Sequence, residues 1–419
     1  MFDDNKTIYA LCSGNLPAGV AVVRVSGTNL LPMFGKLTDI ENPEPRKMNF
    51  VSIPEIDDVL AVYFAAPNSW TGEDVIEIHS HGSRAVVDKI YAALENLGAR
   101  LAQRGEFASR AFMNGKMDLQ QVDGLADLIN AKTERQRVQS FAAFTGAGSR
   151  LYNEWRDALV EISANLAAEI EFPDDELPAG LADDAQTKIK KLLTDIEKHI
   201  GTEAVGRKIK SGFRIVLAGE VNAGKSSLFN ALLGTTRAIV SSAPGTTRDF
   251  ISAELDIGGY LVELIDTAGL RDANDEVEKI GVDKARDIIE SADLVISVIN
   301  PVGNAAPVSD FVVRTHADIN PKGEISVKTG QGMDALIARI KKEIESSLNL
   351  SAPAAVSNDM TAGLLREAAD FLRRALTENI QEFRSENARL AAASLGKVLG
   401  VVDFAEIQSA IFGRLCLGK

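Results

Sequence analysis

Cysteine is almost absent from this sequence. Its 419 residues include two cysteines, Cys12 and Cys416, near opposite ends of the chain. Small secreted folds are held together by several cysteine pairs at short spacings, and two residues this far apart supply no such framework. The scarcity argues against a disulfide-stabilised protein and predicts a reducing compartment, the cytoplasm.

Long apolar runs are also missing. The first residues, "MFDDNKTIYAL", carry acids where a secretory signal needs basic side chains. No apolar stretch approaches the ~18 residues that a membrane-spanning helix requires. We therefore expect neither a secretory signal nor a membrane segment.

Positive charge is in deficit, because 45 Lys and Arg stand against 59 Asp and Glu, for a formal net charge of -14. Such a charge repels nucleic acid on average, so RNA binding would need a local basic surface or a partner. The hydrophobic content of 45% and the charged content of 25% are those of an ordinary globular protein. The length predicts two or three domains.

The hydrophobic period changes along the chain and divides it into four segments. Strand-like stretches such as "AVVRVSG", "LAVYFAA" and "DVIEIHSHG" come first, then long amphipathic helices, then short apolar strands alternating with helices, then helices again. The fold class is therefore multidomain, α+β and α/β, with the alternating block inserted between helices that we expect to pack together. The predicted segments are an α+β domain at 1–117, helices at 118–207, an α/β domain at 208–348 and helices at 349–419.

The clearest chemical motif opens the α/β segment. In "FRIVLAGEVNAGKSS" an apolar strand leads into Gly219-x4-Gly224-Lys225-Ser226 and then into a helix. This is the context of a phosphate-binding loop, whose backbone N–H groups surround phosphate oxygens while the lysine reaches the outer phosphates and the hydroxyl ligates Mg²⁺. We predict a Ras-like P-loop domain.

Two further stretches resemble the switch regions of GTPases related to translation factors. "APGTTRD" offers Thr246 and Thr247 to the terminal phosphate and Mg²⁺, and "YLVELIDTAG" ends a strand at Asp266, with Gly269 beside the phosphate. Ras-like enzymes next have a glutamine that orients the attacking water, but this chain has Leu270. Either hydrolysis is negligible or another residue supplies the polar contact. The candidates that follow, left open by the residues alone, are Arg271, Asp272, Asp275, Glu276 and Glu278.

The base-recognition motif departs from the usual Asn-Lys-x-Asp. "FVVRTHADI" places Thr315, His316 and Asp318 at the three positions. Asp318 keeps the carboxylate that accepts two N–H bonds from guanine, while His316 either stacks on the purine or is an ordinary surface residue. We predict guanine as the base. In "EISVKTGQGMDAL" the residues at the positions that close over the base are Ser326, Val327 and Lys328.

Isolated charges interrupt the apolar strands of the first segment. Arg24 lies among valines and Glu77 among Val and Ile, and Lys116 ends the segment. Charges inside apolar strands are costly unless paired or liganded, although a solvent-facing position is the simpler interpretation. His79 and His81 lack the accompanying ligands of a metal site, so none is predicted there.

The sequence closes on "GRLCLGK", with a thiol at Cys416 and an ammonium at Lys419. Two interpretations are open for the thiol. The thiol either takes part in the chemistry of a site or is a small apolar group that packs the last helix, since unpaired cysteines are often buried.

Several motifs together resemble the family of tRNA-modification GTPases known as MnmE or TrmE, within the TrmE-Era-EngA-YihA-Septin-like GTPases. The resemblance covers nearly the whole chain. The matching stretches are "VRVSG", "PNSWTGEDVIEIHSHG", "RGEFASRAFMNGKMDLQQVDGLADLI", "EFPDDE", "GEVNAGKSSLFNALLG", "GTTRD", "IDTAGLRDANDEVEKIG" and the final Cys-x-Gly-Lys. The chain differs from the family at Thr315-His316 and in the early loop "SGNLPAGV".

The resemblance implies a homodimer built on the N-terminal domains and a central helical domain interrupted by the G domain. It implies a heterotetramer with the flavoprotein MnmG. That complex adds a carboxymethylaminomethyl group to C5 of the wobble uridine of certain tRNAs. The implied cofactors are GTP, Mg²⁺, K⁺ and a folate one-carbon donor, either 5-formyl- or methylene-tetrahydrofolate.

The resemblance also implies residue roles. The implied Mg²⁺ ligands are Ser226 and Thr247. Glu278 is the implied acid that orients the attacking water, and Cys416 is implied to take part in the chemistry near the folate. The implied K⁺ ligands are Asn222, Ser241, the Ala243 carbonyl and Thr246, and the implied folate contacts are Arg24, Glu77, Lys116 and Lys419. The implied GTP-binding residues are Asn222, Ala223, Gly224, Lys225, Ser226, Ser227, Ser241, Thr246, Thr247, Asp266, Thr267, Ala268, Gly269, Thr315, His316, Asp318, Ser326, Val327 and Lys328.

A different class of function is also compatible with the GTPase motifs. The chain could be a GTP-gated switch, such as a ribosome-assembly GTPase, without modification chemistry. A switch needs no folate site, so the set Arg24, Glu77, Lys116 and Cys416 distinguishes the two. A helical scaffold with a degenerate G domain is opposed by the intact Gly-Lys-Ser and Asp-Thr-Ala-Gly motifs.

Overall fold

The computed structural model describes residues 6–171, 181–239, 251–267, 287–348 apart from 302, 306 and 307, 355–400, and 418. The chain divides into two compact units. The first takes in 1–126, 143–171 and 381–419, and the second takes in 127–142 and 172–380.

Each unit contains a six-stranded sheet. The strands of the first are β1 Ile8–Leu11, β2 Ala18–Gly27, β3 Asn49–Ile53, β4 Asp57–Phe64, β5 Asp74–Gly82 and β6 Arg100–Leu101. The strands of the second are β7 Phe213–Ala218, β8 Arg237–Ile239, β9 Ile251–Ile257, β10 Tyr260–Asp266, β11 Leu294–Ile299 and β12 Phe311–Arg314.

The helices described run through both units. They are α1 Leu31–Thr38, α2 Arg84–Asn96, α3 Glu106–Met113, α4 Leu119–Asn130, α5 Glu134–Phe144, α6 Ala147–Glu171, α7 Leu181–Ile200, α8 Glu203–Ser211, α9 Lys225–Thr235, α10 Met333–Ser347, α11 Asp359–Thr377 and α12 Gln381–Leu399. Among these helices, none combines the length and the apolar composition that crossing a bilayer needs.

The first sheet has the order β3-β4-β5-β2-β1-β6, with β1 and β6 parallel and the other neighbours antiparallel. Helix α2 begins where the Ser83 side chain accepts a hydrogen bond from the Val86 N–H. It buries Val87, Ile90 and Leu94, which share one face at helical spacing, in the core that this sheet forms. The predicted α+β class of this segment is confirmed.

The second sheet has the order β12-β11-β7-β10-β9-β8. Strands β12, β11, β7 and β10 are parallel, and β9 and β8 continue the sheet antiparallel. Strands β7 and β11 are almost wholly buried, as parallel strands covered by helices on both faces are. The alternation of strands and helices thus gave the predicted α/β fold.

Helices from before and after the α/β block pack together in both units. In the first unit α6 packs along α12, and in the second α7 packs along α11. Helix α6 buries Trp155, Leu159, Ile162 and Leu166, which recur every three to four residues. Each unit therefore joins chain segments that the α/β block separates in sequence.

Candidate functional site

The loop between β7 and α9 has the backbone path of a phosphate-binding loop. Gly219 has φ +143°, and a Cβ there would lie 2.1 Å from the carbonyl oxygen of Val298, so only glycine fits beside β11. Gly224 has φ +94° and stands at the N-cap of α9. The N-terminus of α9, which favours negative charge, therefore faces the loop.

Three polar side chains meet at this loop. Lys225 is 6% exposed, and its Nζ donates to the carbonyl oxygens of Gly219 and Glu220 at 3.0 and 2.8 Å. The Ser226 hydroxyl donates to Oδ2 of Asp266 at 2.6 Å, and Asp266 is 1% exposed. A hydroxyl and a carboxylate are the hard oxygen ligands that Mg²⁺ prefers. The structure brings together these three predicted residues.

Other predicted residues flank the loop. Asn222 is exposed and has φ +61°, the left-handed conformation that asparagine tolerates. Ala223 is buried, and the Thr267 hydroxyl donates to the carbonyl oxygen of Leu217 at 2.9 Å. This bond fixes the start of the segment after β10 to strand β7.

A cavity of about 270 Å³ lies beside the loop. Each residue that lines it was predicted to bind GTP: Gly224, Ser227, Thr315, His316, Asp318, Ser326, Val327 and Lys328. Segments more than 100 residues apart in sequence therefore converge here as the motifs predicted.

Thr315 connects the cavity to the phosphate-binding loop. Its Oγ1 lies 3.0 Å from the Ala223 carbonyl oxygen, 3.2 Å from the Ile299 carbonyl oxygen and 2.7 Å from Nδ1 of His316. A hydroxyl has one proton, and carbonyl oxygens only accept hydrogen bonds. We therefore assign the Thr315 hydroxyl as the donor to one of the two carbonyl oxygens and a protonated Nδ1 of His316 as the donor to the Thr315 hydroxyl oxygen. His316 has φ +62°, which turns the chain sharply before Asp318.

Arg24 and Glu77 form an ion pair on the first sheet. They are direct partners across β2 and β5, with Nε and Nη2 of Arg24 at 2.9 and 2.8 Å from Oε1 of Glu77. Their side chains are 17% and 19% exposed, so the pair is partly shielded from solvent on the face of the sheet opposite to the core residues Val23 and Ile78. The guanidinium carbon lies 5.1 Å from the ring centre of Trp70, in cation–π range.

His79 adds a polar group to this pair. Its Nε2 lies 3.6 Å from Oε2 of Glu77, the oxygen that Arg24 leaves open. Among the residues described, that nitrogen is a buried atom without a hydrogen-bond partner. Lys116 is exposed and lies against Gly72, and within the described residues no ion pair joins it to Glu77.

Gly418 lies beside the end of β1. It is buried, its carbonyl oxygen accepts from the Cys12 thiol at 2.9 Å, and a Cβ there would lie 2.4 Å from the Leu11 carbonyl oxygen. The backbone N–H of Cys12 donates to Val22, two residues before Arg24 on β2. The position of Gly418 is therefore near the strand that carries Arg24.

Nine predicted site residues lie outside the described residues. For the G domain they are Ser241, Ala243, Thr246, Thr247, Ala268, Gly269 and Glu278. For the folate contacts and the closing motif they are Cys416 and Lys419.

Sequence reasoning missed three residues that border these sites. The sequence predicts no role for Trp70 or Cys12, and for His79 it raises only the question of a metal site. The signal for His79 was available, because Glu77 and His79 are two apart on a strand and share its face. The Cys12 contact depends on a partner 406 residues away, which no local pattern indicates.

The chain is similar to known proteins along its whole length. Residues 7–116 match the family described as "GTP-binding protein TrmE N-terminus", and residues 119–416 match "MnmE helical domain". It is 40% identical to the tRNA modification GTPase MnmE of Agrobacterium fabrum, with 100% of both chains covered. It is 39% identical to that of Brucella anthropi, with 99% of this chain and 98% of the relative covered. The G domain of the T. maritima FeoB iron transporter is 30% identical over 32% of this chain and 97% of its own, with a TM-score of 0.24.

Proposed function

Since the chain belongs to the MnmE family of tRNA-modification GTPases, we propose that it works with the flavoprotein MnmG as a heterotetramer on the wobble uridine of certain tRNAs. The chain is a GTP hydrolase that acts in tRNA modification. In the proposal it is a cytoplasmic homodimer, and the reaction adds a carboxymethylaminomethyl group to C5 of the base with a folate one-carbon donor. The observation that supports the GTPase activity is the position of Lys225, Ser226 and Asp266 together at the phosphate-binding loop.

Lys225 and the start of α9 hold the phosphates. The ammonium, now on two loop carbonyls, is close enough to exchange them for outer phosphate oxygens. Ser226 and Thr247 would hold Mg²⁺, with Asp266 behind Ser226 at 2.6 Å. The ion, when bound, neutralises charge on the phosphate oxygens. Asn222, Ser241, Ala243 and Thr246 would hold K⁺.

Asp318 selects guanine in this proposal, because it lines the cavity and a carboxylate can accept two N–H bonds from the base. Thr315 replaces the usual amide by holding the loop to the Ala223 carbonyl. His316 lies at the cavity with its Nδ1 turned to Thr315, so its ring face is available to the purine.

Glu278 orients the water that attacks the terminal phosphate. The role follows the family resemblance and the presence of Leu270 in place of a glutamine. A carboxylate within hydrogen-bond reach of the water can position it and accept its proton.

The folate site is proposed at Arg24 and Glu77, with Lys116 and Lys419 as further folate contacts. Cys416 is proposed to be a catalytic residue there. Glu77 has one oxygen free of Arg24, and a carboxylate oxygen can accept N–H bonds from a pterin ring. The cations suit the carboxylates of a folate. The position of Gly418 near β2 supports the arrival of the closing motif at this sheet.

Mass spectrometry of tRNA nucleosides tests this function. Cells that lack the chain should lose the carboxymethylaminomethyl group on the wobble uridine, and the wild-type gene should restore it. A Lys225→Ala variant should fail to restore it, because the phosphates lose their cation. Normal nucleosides in the deleted cells would favour a GTP-gated switch, such as a ribosome-assembly GTPase.

A further inference from the structure

Strands β9 and β10 form a hairpin with a tight two-residue turn. Ile257 pairs with Tyr260, and between them Gly258 and Gly259 have φ +63° and +90°. A two-residue turn with positive φ at both central positions matches the twist of the paired strands. The Asp256 carboxylate accepts from the Gly259 N–H at 2.7 Å and fixes the turn further. The turn is therefore fixed to both strands of the hairpin by hydrogen bonds.

The open end of this hairpin belongs to the nucleotide site. Ile251 pairs with Asp266, and the segments that precede β9 and follow β10 contain the two predicted switch motifs. Seven residue pairs separate this end from the turn, a length of roughly 20 Å. The ladder is thus a continuous hydrogen-bonded connection between Ile251 and Asp266 at one end and the turn at Gly258 and Gly259 at the other.

The turn is held by the first residues of helix α5. The backbone N–H of Arg135, one of the donors that a helix N-terminus leaves without an internal partner, donates to the Gly259 carbonyl oxygen at 3.1 Å. The Arg135 guanidinium carbon lies 5.1 Å from the ring centre of Tyr260, which is 1% exposed. Gly259 is also the residue whose Cβ would meet the Arg135 side chain, at 3.5 Å.

A second contact joins the same helix start to the middle of β9. Nζ of Lys132 lies 2.8 and 2.5 Å from the two carboxylate oxygens of Glu254. The two side chains are 40% and 31% exposed. Such a partly exposed ion pair contributes about 1 kcal/mol or less, so it can break and re-form at little cost.

The far side of the α5 start is fixed to α8. The Gln136 side chain accepts from the Lys132 N–H at 2.8 Å and donates to the Lys210 carbonyl oxygen at 2.9 Å. Lys210 Nζ lies 2.6 Å from Oδ2 of Asp127 at the end of α4. A short connected set of polar contacts therefore links the hairpin to helices α4, α5 and α8.

We propose that Lys132 and Arg135 are positioning residues that transmit the nucleotide state from the switch motifs, through the β9–β10 hairpin, to the helices that flank the G domain. The proposal rests on the proposed function, because the transmitted state serves tRNA modification. In the GTP state and in the GDP state the hairpin turn holds the α5 start differently. We expect GTP hydrolysis not to need these contacts, because among the described residues the side chains of Lys132 and Arg135 contact the hairpin and not the phosphate-binding loop.

Hydrogen exchange of the full-length protein tests the transmission directly. Peptides that contain the Arg135 amide should exchange at rates that differ by about tenfold between saturating GDP and a non-hydrolysable GTP analogue. Peptides from α1, in the other unit, serve as the control and should not differ. Equal rates in the two nucleotides for the Arg135 peptides would overturn the proposal.

A charge exchange at Lys132 and Glu254 separates transmission from folding. Lys132→Glu and Glu254→Lys should each keep GTP hydrolysis within about twofold of wild type, and should lower tRNA modification by about fivefold. The double variant should restore modification, because the ion pair re-forms with its charges reversed. Arg137→Glu is the matched control, since it breaks an exposed pair with Glu134 on the same helix and should leave modification unchanged.

The outcomes distinguish this proposal from the proposed function. If wild-type protein hydrolyses no GTP or modifies no tRNA, the proposed function is wrong. If wild type does both and the single variants modify tRNA normally, the transmission alone is wrong. Loss of GTP hydrolysis in the single variants, or no rescue in the double variant, would also overturn it.

Discussion

The side chain of His199 makes the stability of the second unit depend on pH. It lies in the last turn of α7 and is 8% exposed, and burial lowers the pKa of the imidazole from 6.5 to about 4. A helix C-terminus favours a cation, but removal of the charged ring from water outweighs that effect here. The folded protein therefore holds this histidine neutral.

The magnitude follows from the two pKa values. Between pH 6.5 and about pH 4 the unfolded chain binds a proton at His199 that the folded chain does not bind, so the free energy of unfolding falls as the pH falls. The difference of about 2.5 between the pKa values corresponds to about 3 kcal/mol in full, of which about 2 kcal/mol is lost at pH 5. Above pH 6.5 the stabilisation is complete.

We expect His199→Gln to remove this dependence. Between about pH 8 and pH 5 the free energy of unfolding of the variant should fall by about 2 kcal/mol less than that of wild type. Hydrogen-exchange mass spectrometry in a urea series, read on peptides of α7, measures it. Tryptophan fluorescence gives an internal control, because Trp70 and Trp155 are the two tryptophans and both lie in the first unit. Parallel pH curves for α7 in the two proteins would refute the reasoning.

Four predictions concern the proposed sites. GTP turnover should rise at least ~10-fold when K⁺ replaces Na⁺, about 1.4 kcal/mol of barrier, and Asn222→Ala should abolish the difference; equal rates in both salts contradict the potassium role. Glu278→Ala should lower kcat by at least ~10²-fold with nucleotide affinity within a few-fold, measured by steady-state kinetics and titration, and an unchanged kcat contradicts it. Asp318→Asn should weaken GTP by ~1 to 3 kcal/mol in calorimetry and shift preference toward xanthine nucleotides, whereas an unaltered preference means that another loop reads the base. Cys416→Ser should keep the melting temperature and GTP hydrolysis and lose tRNA modification, while a lower melting temperature with intact modification indicates a packing role.

The sequence predicted elements whose determinants are local. The stretch "DVIEIHSHG" is strand β5 in full, and the glycines and Lys225 of the phosphate-binding loop lie at a strand–helix junction because that backbone path needs those residues. The cavity residues were also foreseen, because Asp318 and Ser326 belong to motifs with fixed places at the edge of a parallel sheet.

Features that depend on long-range register were not predicted. The pairing of Arg24 with Glu77 needs the antiparallel alignment of β2 and β5, and one residue of slip would put them on opposite faces. The hold of Arg135 on Gly259 joins positions more than 100 residues apart through one backbone bond, for which no side-chain pattern exists. Local sequence patterns do not predict such contacts, because the two partners are distant in sequence and come together only in the folded chain.

The packing of α6 against α12 has a consequence for protein synthesis. Roughly 200 residues separate the end of one helix from the start of the other, and a ribosome adds about 5 to 20 residues per second. The apolar face of α6, with Trp155, Leu159 and Ile162, is therefore made about 10 to 40 s before its partner helix. During that interval the nascent chain presents this face to chaperones, while the G domain has time to fold ahead of the unit that began first.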